Sequence, residues 1–381
     1  MKIAIARELA VNERRVALIP DVVARLVKQG LEIYIEAGAG DGSFFSDALY
    51  EEAGATVVAD SSQLWGEADI LLKVSPPEPE EIGKLREGGI LIGFLNPLGD
   101  PTLIQKLSDR RVTAFSMEMI PRTSRAQSMD ALSSQANIAG YKAVLIASAN
   151  LPKYFPMLTT AAGTIRPAKV LILGAGVAGL QAIATARRLG AIVEAFDIRP
   201  EVKEQVQSLG AKFVDVTLEE DTVAEGGYAK EISEQAKQRT QEVLTEHVAA
   251  SDVVITTAQV PGKKAPVLVT ADMVAQMKPG SVIVDLASEQ GGNCEGSEAG
   301  KNVQKNGVTI MGPINLPASM PVHASEVYAK NLSALLKLMV TKEGELNLNF
   351  EDDIIEGACV THGGEIRSLR VKEALGVAVG P

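Results

Sequence analysis

The feature that most constrains this chain is a glycine motif between a strand-like run and a helical run. Residues 170–173 are apolar and typical of a buried strand, and three glycines follow at G-x-G-x-x-G spacing before a helical pattern. These glycines allow a tight turn, close approach of a pyrophosphate to the backbone, and close packing of helix on strand. The free N–H groups at the start of that helix attract phosphate. The motif predicts a dinucleotide-binding site, with the contact residues Gly174, Gly176, Val177, Ala178 and Gly179.

An acidic residue at the end of the next apolar run indicates which dinucleotide is bound. Asp197 follows the run 192–196, where a carboxylate can accept hydrogen bonds from the adenosine ribose. Such a carboxylate also repels the 2′-phosphate of NADP, so the sequence favours NAD(H). Arg199 leaves an alternative open, because a guanidinium can hold a 2′-phosphate. Otherwise Arg199 is interpreted as a solvated turn residue.

The order of apolar and amphipathic runs predicts an α/β protein of two doubly wound, Rossmann-like domains with a cleft between them. Strand and helix patterns alternate through the first third, which is typical of a mostly parallel sheet covered by helices. A long apolar helical run, 136–149, leads to a second set around the glycine motif. The amphipathic run 326–340 is too isolated to form a domain, and a short β-rich tail follows it. We predict a discontinuous N-terminal domain of 1–135 and 320–381, completed by the C-terminal helix, and an NAD-binding domain of 136–319.

Composition and charge exclude several classes of function. A net charge of −11 argues against nucleic-acid binding. Cys294 and Cys359 are too few for a disulfide framework or a metal cluster, which fits a reducing compartment, and we expect no metal. The uncharged stretch 170–186 is slightly short for a membrane span, and its glycine spacing is better explained by a strand and a buried helix. With no secretory signal, we expect a cytoplasmic protein that does not insert into a membrane.

The segment 121–135 is placed to contribute to a functional site. It lies after a predicted strand and before the long helix, at the expected cleft, where ligands bind in doubly wound folds. Its polar candidates include Arg122, Arg125, Gln127, Asp130, Ser133 and Ser134. The alternative is an ordinary loop in which Ser128 or Asp130 caps the helix and the arginines are solvated.

A second segment, 215–230, is long for a connection between a strand and a helix. Gly226 and Gly227 provide a hinge and Tyr228 an aromatic tip, which predicts a mobile lid. The alternative is a surface loop without a role in binding.

Histidines are scarce, and this bears on the reaction. His247 lies in a charged helical run and is expected to be solvated, His323 near the start of the late helix is expected at a cap or interface, and His362 is in the tail. Oxidation of an alcohol or an amine needs a group to manage the substrate proton, most often His. None of the three is obviously placed for this, whereas a reaction that moves only a hydride would need no such group.

Five stretches carry a resemblance to a known family: E-R-R-V-A-L-I-P at 13–20, L-K-V-S-P-P at 72–77, S-R-A-Q-S-M-D at 124–130, 160–186 around the glycine motif, and 277–294 from M-K-P-G-S to G-G-N-C. Through them the chain resembles the alanine dehydrogenase/transhydrogenase family from end to end. The first stretch is shared by both branches. The 124–130 stretch is specific to the transhydrogenase branch, so the chain looks most like its NAD(H)-binding domain I, the alpha subunit of the proton-translocating enzymes.

The two branches differ at positions that can be compared in this sequence. Alanine dehydrogenases use an Arg and a Lys that correspond to Arg15 and Lys73 here. They also use a His where this chain has Asn96, and an Asp where it has Glu289. Loss of that His removes the acid/base group that amine chemistry needs and leaves hydride transfer between nicotinamides unaffected.

The resemblance implies a function, site residues and partners. It places Arg122, Gln127, Asp130 and Ser133, with Tyr228 of the mobile loop, around the nicotinamide and its ribose, with Gln127 bridging towards NADP(H) on a partner subunit. The implied reaction is hydride transfer between NADH and that NADP⁺, coupled to proton translocation by a membrane-spanning subunit. The family likeness also implies a homodimer, peripheral on the cytoplasmic face of a membrane through its partners. The alternatives are an NAD-dependent alanine or related amino-acid dehydrogenase, and an NAD-binding regulator.

Overall fold

A computed structural model of the chain describes residues 1–216, 233–260, 262–341 and 343–376. The chain divides into two compact units, Met1–Gln135 with Pro317–Pro381, and Ala136–Leu316. Each unit is built on its own mostly parallel sheet with helices, so the predicted fold class of two doubly wound α/β domains is confirmed.

The strands of the described residues are β1 (Lys2–Ile5), β2 (Glu32–Glu36), β3 (Thr56–Val58), β4 (Ile70–Leu72), β5 (Ile90–Gly93), β6 (Thr113–Ser116), β7 (Leu158–Thr160), β8 (Gly163–Ile165), β9 (Lys169–Leu173), β10 (Ile192–Phe196), β11 (Lys212–Phe213), β12 (Val253–Thr256), β13 (Val282–Asp285), β14 (Asn302–Lys305), β15 (Val308–Met311), β16 (Cys359–His362) and β17 (Glu365–Ile366). The helices are α1 (Pro20–Lys28), α2 (Asp47–Glu52), α3 (Ser61–Glu67), α4 (Pro79–Ile82), α5 (Pro101–Asp109), α6 (Ala131–Asn150), α7 (Val177–Arg188), α8 (Lys203–Ser208), α9 (Glu234–Ala250), α10 (Ala271–Gln276), α11 (Pro321–Met339), α12 (Asp353–Ala358) and α13 (Leu369–Ala374).

The first unit has an eight-stranded sheet in the order β17-β16-β6-β5-β4-β1-β2-β3. The strands from β3 to β6 pair in parallel, while β16 pairs antiparallel with β6 and with β17. Every residue of β4, β5 and β6 is buried, because helices cover both faces of a parallel sheet.

The C-terminal residues complete this first unit. Helix α11 buries Leu332, Leu335, Leu336 and Met339 in the same core as Ile3 and Ile33 of the sheet. The helix begins at Pro321, before the predicted start at 326, because a proline at the first helical position favours helix initiation. The tail beyond it is not only β-rich as predicted, since α12 and α13 flank the two short strands.

The second unit has a seven-stranded sheet in the order β11-β10-β9-β12-β13-β15-β14. All its strands pair in parallel except β14, which is antiparallel to β15. The chain enters this sheet at β9, runs outward through β10 and β11, and returns to β12 on the other side of β9. This reversal beside β9 creates the crevice at the carboxyl ends of the strands where doubly wound folds bind ligands.

The helix α6 runs from Ala131 to Asn150 and therefore begins before the predicted 136. Its first turn, A-L-S-S, contains two serines, so the apolar pattern of the later turns does not extend to it. Gly140 of this helix lies against the first turn of α7, where a Cβ at Gly140 would sit 2.1 Å from the carbonyl oxygen of Ala178. Glycine is therefore required for α6 to pack this closely on α7.

Candidate functional site

The glycine motif forms the turn between β9 and α7. Gly174 has a φ of +98°, which is strained for any other residue. A Cβ on Gly179 would lie 1.9 Å from the carbonyl oxygen of Gly174, whereas no heavy atom lies within 4 Å of the Cβ position of Gly176. The first and third glycines therefore shape the turn, and the second leaves open space over it.

The start of α7 offers donors to this open space. Gly176 is the N-cap residue and has no side chain to satisfy the N–H groups of the first turn. Val177, the first residue of the helix, is 39% exposed. Phosphate oxygens are suitable acceptors for such N–H groups, so the turn and helix fit the pyrophosphate of a dinucleotide.

Asp197 lies directly after β10 and beside the same turn. The backbone N–H of Ala175 donates to its Oδ2 at 2.7 Å, so the carboxylate is tied to the glycine motif. Asp197 is only 8% exposed and forms an ion pair with Arg199, whose side chain is 16% exposed. The interpretation of Arg199 as a solvated turn residue is therefore wrong, because the Asp197 carboxylate holds its guanidinium against the protein.

The segment after β12 completes this edge of the sheet, although no motif in the sequence indicates it. The Thr257 hydroxyl donates to the Gly174 carbonyl oxygen at 3.1 Å. The fully buried Asn293 holds the segment at both ends, since its amide donates to the carbonyl oxygens of Ala258 and Pro266 at 2.8 Å each and accepts from the Ala258 N–H at 3.0 Å. Asp285, at the end of β13, accepts from the Asn293 N–H at 2.9 Å.

A local sequence signal could have identified Asp285 before the structure was known. It closes an apolar run in the same way as Asp197 does. The partners of Asn293 lie 27 and 35 residues away in sequence, so no local spacing reveals its role.

The segment 121–135 in the first unit has features both of a functional site and of an ordinary loop that caps a helix. Asp130 accepts from the backbone N–H of Ser133 at 2.8 Å and from its hydroxyl at 2.5 Å, which is the geometry of a residue capping α6. Arg122 and Gln127 are exposed. Arg125 is also exposed, as the loop interpretation expected, and it forms surface ion pairs with Asp352 and Asp353.

The remaining predicted positions lie neither at the glycine turn nor in the segment 121–135. Tyr228 and most of the predicted lid 215–230 lie outside the described residues. His247 is not simply solvated, since its Nδ1 lies 2.7 Å from the Glu194 carboxylate. His323 is exposed, in the first turn of α11, and His362 is within hydrogen-bonding distance of the Thr113 hydroxyl at 3.0 Å.

Arg15 and Lys73 belong to one buried polar cluster of the first unit. Arg15 pairs with Glu13 at 2.6 Å and donates to the Gln135 amide oxygen at 2.8 Å. Lys73 is 1% exposed, and its Nζ lies 3.2 Å from the Glu81 carboxylate and 3.7 Å from that of Glu8. Each cation thus has a carboxylate partner within the protein.

Burial in this cluster destabilises the ionised form of the Glu8 carboxyl. Burial raises the pKa of its carboxyl from the ordinary 4.5 to about 7, although Lys73 and the N–H groups of Val74 and Ser75 favour the ionised form. Folding therefore makes Glu8 bind a proton more tightly than the unfolded chain does. Between about pH 4.5 and pH 7, the folded state keeps a proton that the unfolded chain has released, so this contribution to stability falls as pH rises and is lost above pH 7.

Replacing this carboxyl should reduce the pH dependence of stability. The free energy of unfolding of the parent protein is expected to fall by about 2–3 kcal/mol as pH rises through this window. In Glu8→Gln this decrease should be absent. Urea unfolding at pH 5, 6, 7 and 8 would measure it. The exposed Glu52→Gln is the matched control and should keep the parent slope. If the free energy of unfolding fell equally with pH in Glu8→Gln and in the parent, the raised pKa of Glu8 would be contradicted.

The described residues provide little for other kinds of site. Cys294 and Cys359 are buried free thiols, and burial raises the pKa of each to about 12, so both stay protonated at neutral pH. Among the described residues, no group of three or more His, Cys, Asp or Glu side chains is placed to hold a metal ion. No helix in the same ranges combines the length and the apolar character needed to cross a membrane.

The family relationship is decided by comparison along the whole chain. Residues 4–139 match the N-terminal domain of the family described as alanine dehydrogenase/PNT, and residues 143–368 match its C-terminal domain. The chain belongs to this family. The predicted resemblance is therefore confirmed.

Individual relatives favour one branch of the family. The chain is 47% identical over 374 residues to the first part of NAD(P) transhydrogenase subunit alpha from Rhodospirillum rubrum, covering 96% of this chain and 97% of the relative. A crystal structure of transhydrogenase from Sinorhizobium meliloti matches with a TM-score of 0.87 and 46% identity, covering 96% of this chain and 100% of that one. The alanine dehydrogenase of Bacillus subtilis is 31% identical over 389 residues, covering 100% of this chain and 96% of the relative. The likeness to transhydrogenase alpha subunits is thus the stronger one.

Proposed function

We propose that this chain is the NAD(H)-binding subunit of a proton-translocating NAD(P) transhydrogenase. In this role it passes hydride between NADH and NADP⁺ held by a partner subunit. The observation that carries the proposal is the open turn at Gly176 in a chain whose full length is similar to transhydrogenase alpha subunits. No heavy atom lies within 4 Å of the Cβ position of Gly176, so the backbone of the turn is open to the close approach that a pyrophosphate needs.

The residues of the second unit would bind and orient the dinucleotide. Backbone N–H groups of Val177 and Ala178 would donate to the pyrophosphate, and Asp197 would accept from the adenosine ribose. NAD(H) supplies the hydride chemistry when bound. The protein then needs to hold the ring in place and exclude side reactions, which requires no acid or base at the reacting carbon.

The polar segment of the first unit would position the nicotinamide end. Gln127 is exposed and carries an uncharged amide that can both donate and accept. Arg122 is exposed nearby in sequence, while Asp130 and Ser133 would act by fixing the start of α6 and hence the shape of the segment. We propose Tyr228 as a further contact from the predicted lid.

A second copy of the chain is a proposed partner, and an exposed hairpin supports it. Strands β7 and β8 form a separate two-stranded sheet, and Met157 and Ile165 beside and within it are 64% and 44% exposed. A two-stranded hairpin is marginally stable alone, so docking on another chain would stabilise it. The other proposed partners are the NADP-binding subunit and a membrane-spanning subunit, which would hold the chain at the cytoplasmic face of a membrane.

The alternative activity is oxidation of alanine or a related amino acid. Arg15 and Lys73 are present in one cluster, which favours it, but Asn96 stands where those enzymes have the catalytic His. Asn96 has a φ of +48° and carries no group that titrates near neutral pH. A regulator that binds NAD(H) without turnover is the second alternative.

One assay separates these functions. The purified chain is mixed with the NADP-binding subunit of a transhydrogenase, and hydride transfer from NADH to an NADP analogue is followed. We expect transfer in the mixture and none with either component alone. A parallel reaction contains the chain with NAD and alanine. Alanine-dependent reduction of NAD without transfer in the mixture would favour the dehydrogenase, and tight NADH binding with neither reaction would favour the regulator.

A further inference from the structure

The carboxylate of Asp197 has no acceptor position left unused. Two backbone groups fix it, since the N–H of Ala175 donates to Oδ2 at 2.7 Å and the N–H of Arg199 donates to Oδ1 at 2.9 Å. The Arg199 side chain fills the rest, with Nε donating to Oδ1 at 2.9 Å and Nη2 to Oδ2 at 2.8 Å. A carboxylate offers about four acceptor sites, so each oxygen here has one backbone donor and one guanidinium donor.

This arrangement matches the needs of a ribose diol. A ribose with free 2′- and 3′-hydroxyls brings two donors, and the guanidinium occupies two positions, one on each oxygen of Asp197. The backbone bonds can stay in place when the side-chain bonds are exchanged, because they come from the turn itself. The ribose and the Arg199 side chain therefore compete for the same two acceptor positions.

We propose that Arg199 sets the dinucleotide selectivity of the adenosine subsite by occupying these two positions of Asp197 in the unliganded protein. The proposal rests on the proposed function, in which NAD(H) binds at the glycine turn. Arg199 then lowers NADH affinity, because its ion pair must be broken before the ribose can bind. It also reduces the exclusion of NADPH, because it compensates the negative charge that would repel a 2′-phosphate.

The surroundings favour a persistent ion pair. The side chains of Arg199 and Asp197 are 16% and 6% exposed, so water screens their attraction less than at an open surface. The Asp197 carboxylate raises the pKa of Arg199, with a smaller contribution in the same direction from Glu201. Arg199 therefore stays charged and paired across the physiological pH range.

Removing the guanidinium tests this role. In Arg199→Met, calorimetric titration is expected to give NADH binding about 5–10-fold tighter than in the parent, and NADPH binding about tenfold weaker, as expected for exchange of a charge-assisted pair. The preference for NADH should therefore widen by about 50–100-fold. Arg188→Met is the matched control, since Arg188 is an exposed arginine of the same unit and the charge change is equal. It should leave both affinities unchanged.

A second variant keeps the test decisive if Arg199→Met is poorly folded. Arg199→Lys retains the charge but cannot donate to both oxygens from a planar fork, so its preference should lie between the parent and Arg199→Met. Weaker NADH binding in either variant, or a preference equal to that of Arg188→Met, would overturn the proposal and make Arg199 a cofactor-holding or bystander residue. Parent protein that binds neither dinucleotide would overturn the proposed function as well.

Discussion

Gly179→Ala is expected to destabilise the second unit and abolish NADH binding. A methyl at this position would lie 1.9 Å from the carbonyl oxygen of Gly174 and 3.4 Å from the Thr257 hydroxyl. The first of these is backbone of the turn itself, so the strain cannot be relieved by a rotamer change. Separation of α7 from β9 would cost about 3 kcal/mol or more and would distort the phosphate-binding turn.

Gly176→Ala is the matched control from the same motif. Gly176 has a φ of −75°, an ordinary value for any residue, and no heavy atom lies within 4 Å of its Cβ position. We therefore expect the free energy of unfolding to stay within about 1 kcal/mol of the parent value. NADH affinity should nevertheless fall by about tenfold or more, because the methyl would occupy the space that the pyrophosphate needs.

Urea unfolding and calorimetric titration with NADH measure the two effects separately. The expected pattern is loss of both stability and binding for Gly179→Ala, and loss of binding alone for Gly176→Ala. Equal NADH affinity in Gly176→Ala and the parent would place the dinucleotide elsewhere. Parent-like stability of Gly179→Ala would mean that α7 can move away from β9 at little cost.

The elements of the fold that the sequence predicted depend on local patterns. The glycine spacing after residues 170–173 is meaningful because the first and third glycines each meet a constraint within the same turn, as the φ of Gly174 and the contact at Gly179 show. Alternating strands and helices indicated two doubly wound units because their patterns are also local. A period of two or of 3.6 residues is visible within a short window.

Elements with weak local patterns were not predicted. The hairpin of β7 and β8 is largely exposed and lacks a buried face to create alternation. The first turn of α6 contains two serines, and the start of the helix depends on the side chain of Asp130. Helix α4 spans only Pro79–Ile82, which is too short for amphipathic periodicity.

The remaining features of the candidate site depend on contacts between distant residues. Asn293 acquires its position by bonding Ala258 and Pro266, and only the fold brings these together. Asp197 could be located from its place after an apolar run. The sequence did not predict that the Arg199 side chain donates to both oxygens of Asp197, because packing and charge set the rotamer of an arginine. The roles of Gln127, Asp130 and Tyr228 stay predictions.

Gln127→Ala is expected to slow hydride transfer while leaving NADH affinity nearly unchanged. Gln127 lies in the 3-10 turn Ser124–Met129 and is exposed, and no hydrogen bond of its side-chain amide occurs among the described residues. Its removal should therefore not change stability. The pyrophosphate and ribose contacts of NADH would remain, so affinity should stay within a few fold.

The effect on rate follows from the geometry of the reaction. Hydride transfer between nicotinamides bound to different chains requires the reacting atoms to approach to about 3–3.5 Å. An exposed amide can hold a ring or ribose in that position without carrying charge. Loss of such a contact should slow transfer in the reconstituted complex by about tenfold or more. The pH dependence of the rate should keep its shape, because an amide does not titrate.

Single-turnover measurements with saturating NADH isolate the hydride step from binding. Ser128→Ala is the matched control, since Ser128 is exposed in the same turn and contributes its backbone carbonyl, not its hydroxyl, to the bond with Asn331. The control should transfer hydride at the parent rate. If Gln127→Ala lost NADH binding while the saturated complex transferred hydride at the parent rate, Gln127 would be a binding residue. If the midpoint of the pH dependence of the transfer rate shifted in Gln127→Ala, the amide would act through a neighbouring ionisable group. Another part of the segment would then hold the nicotinamide ring.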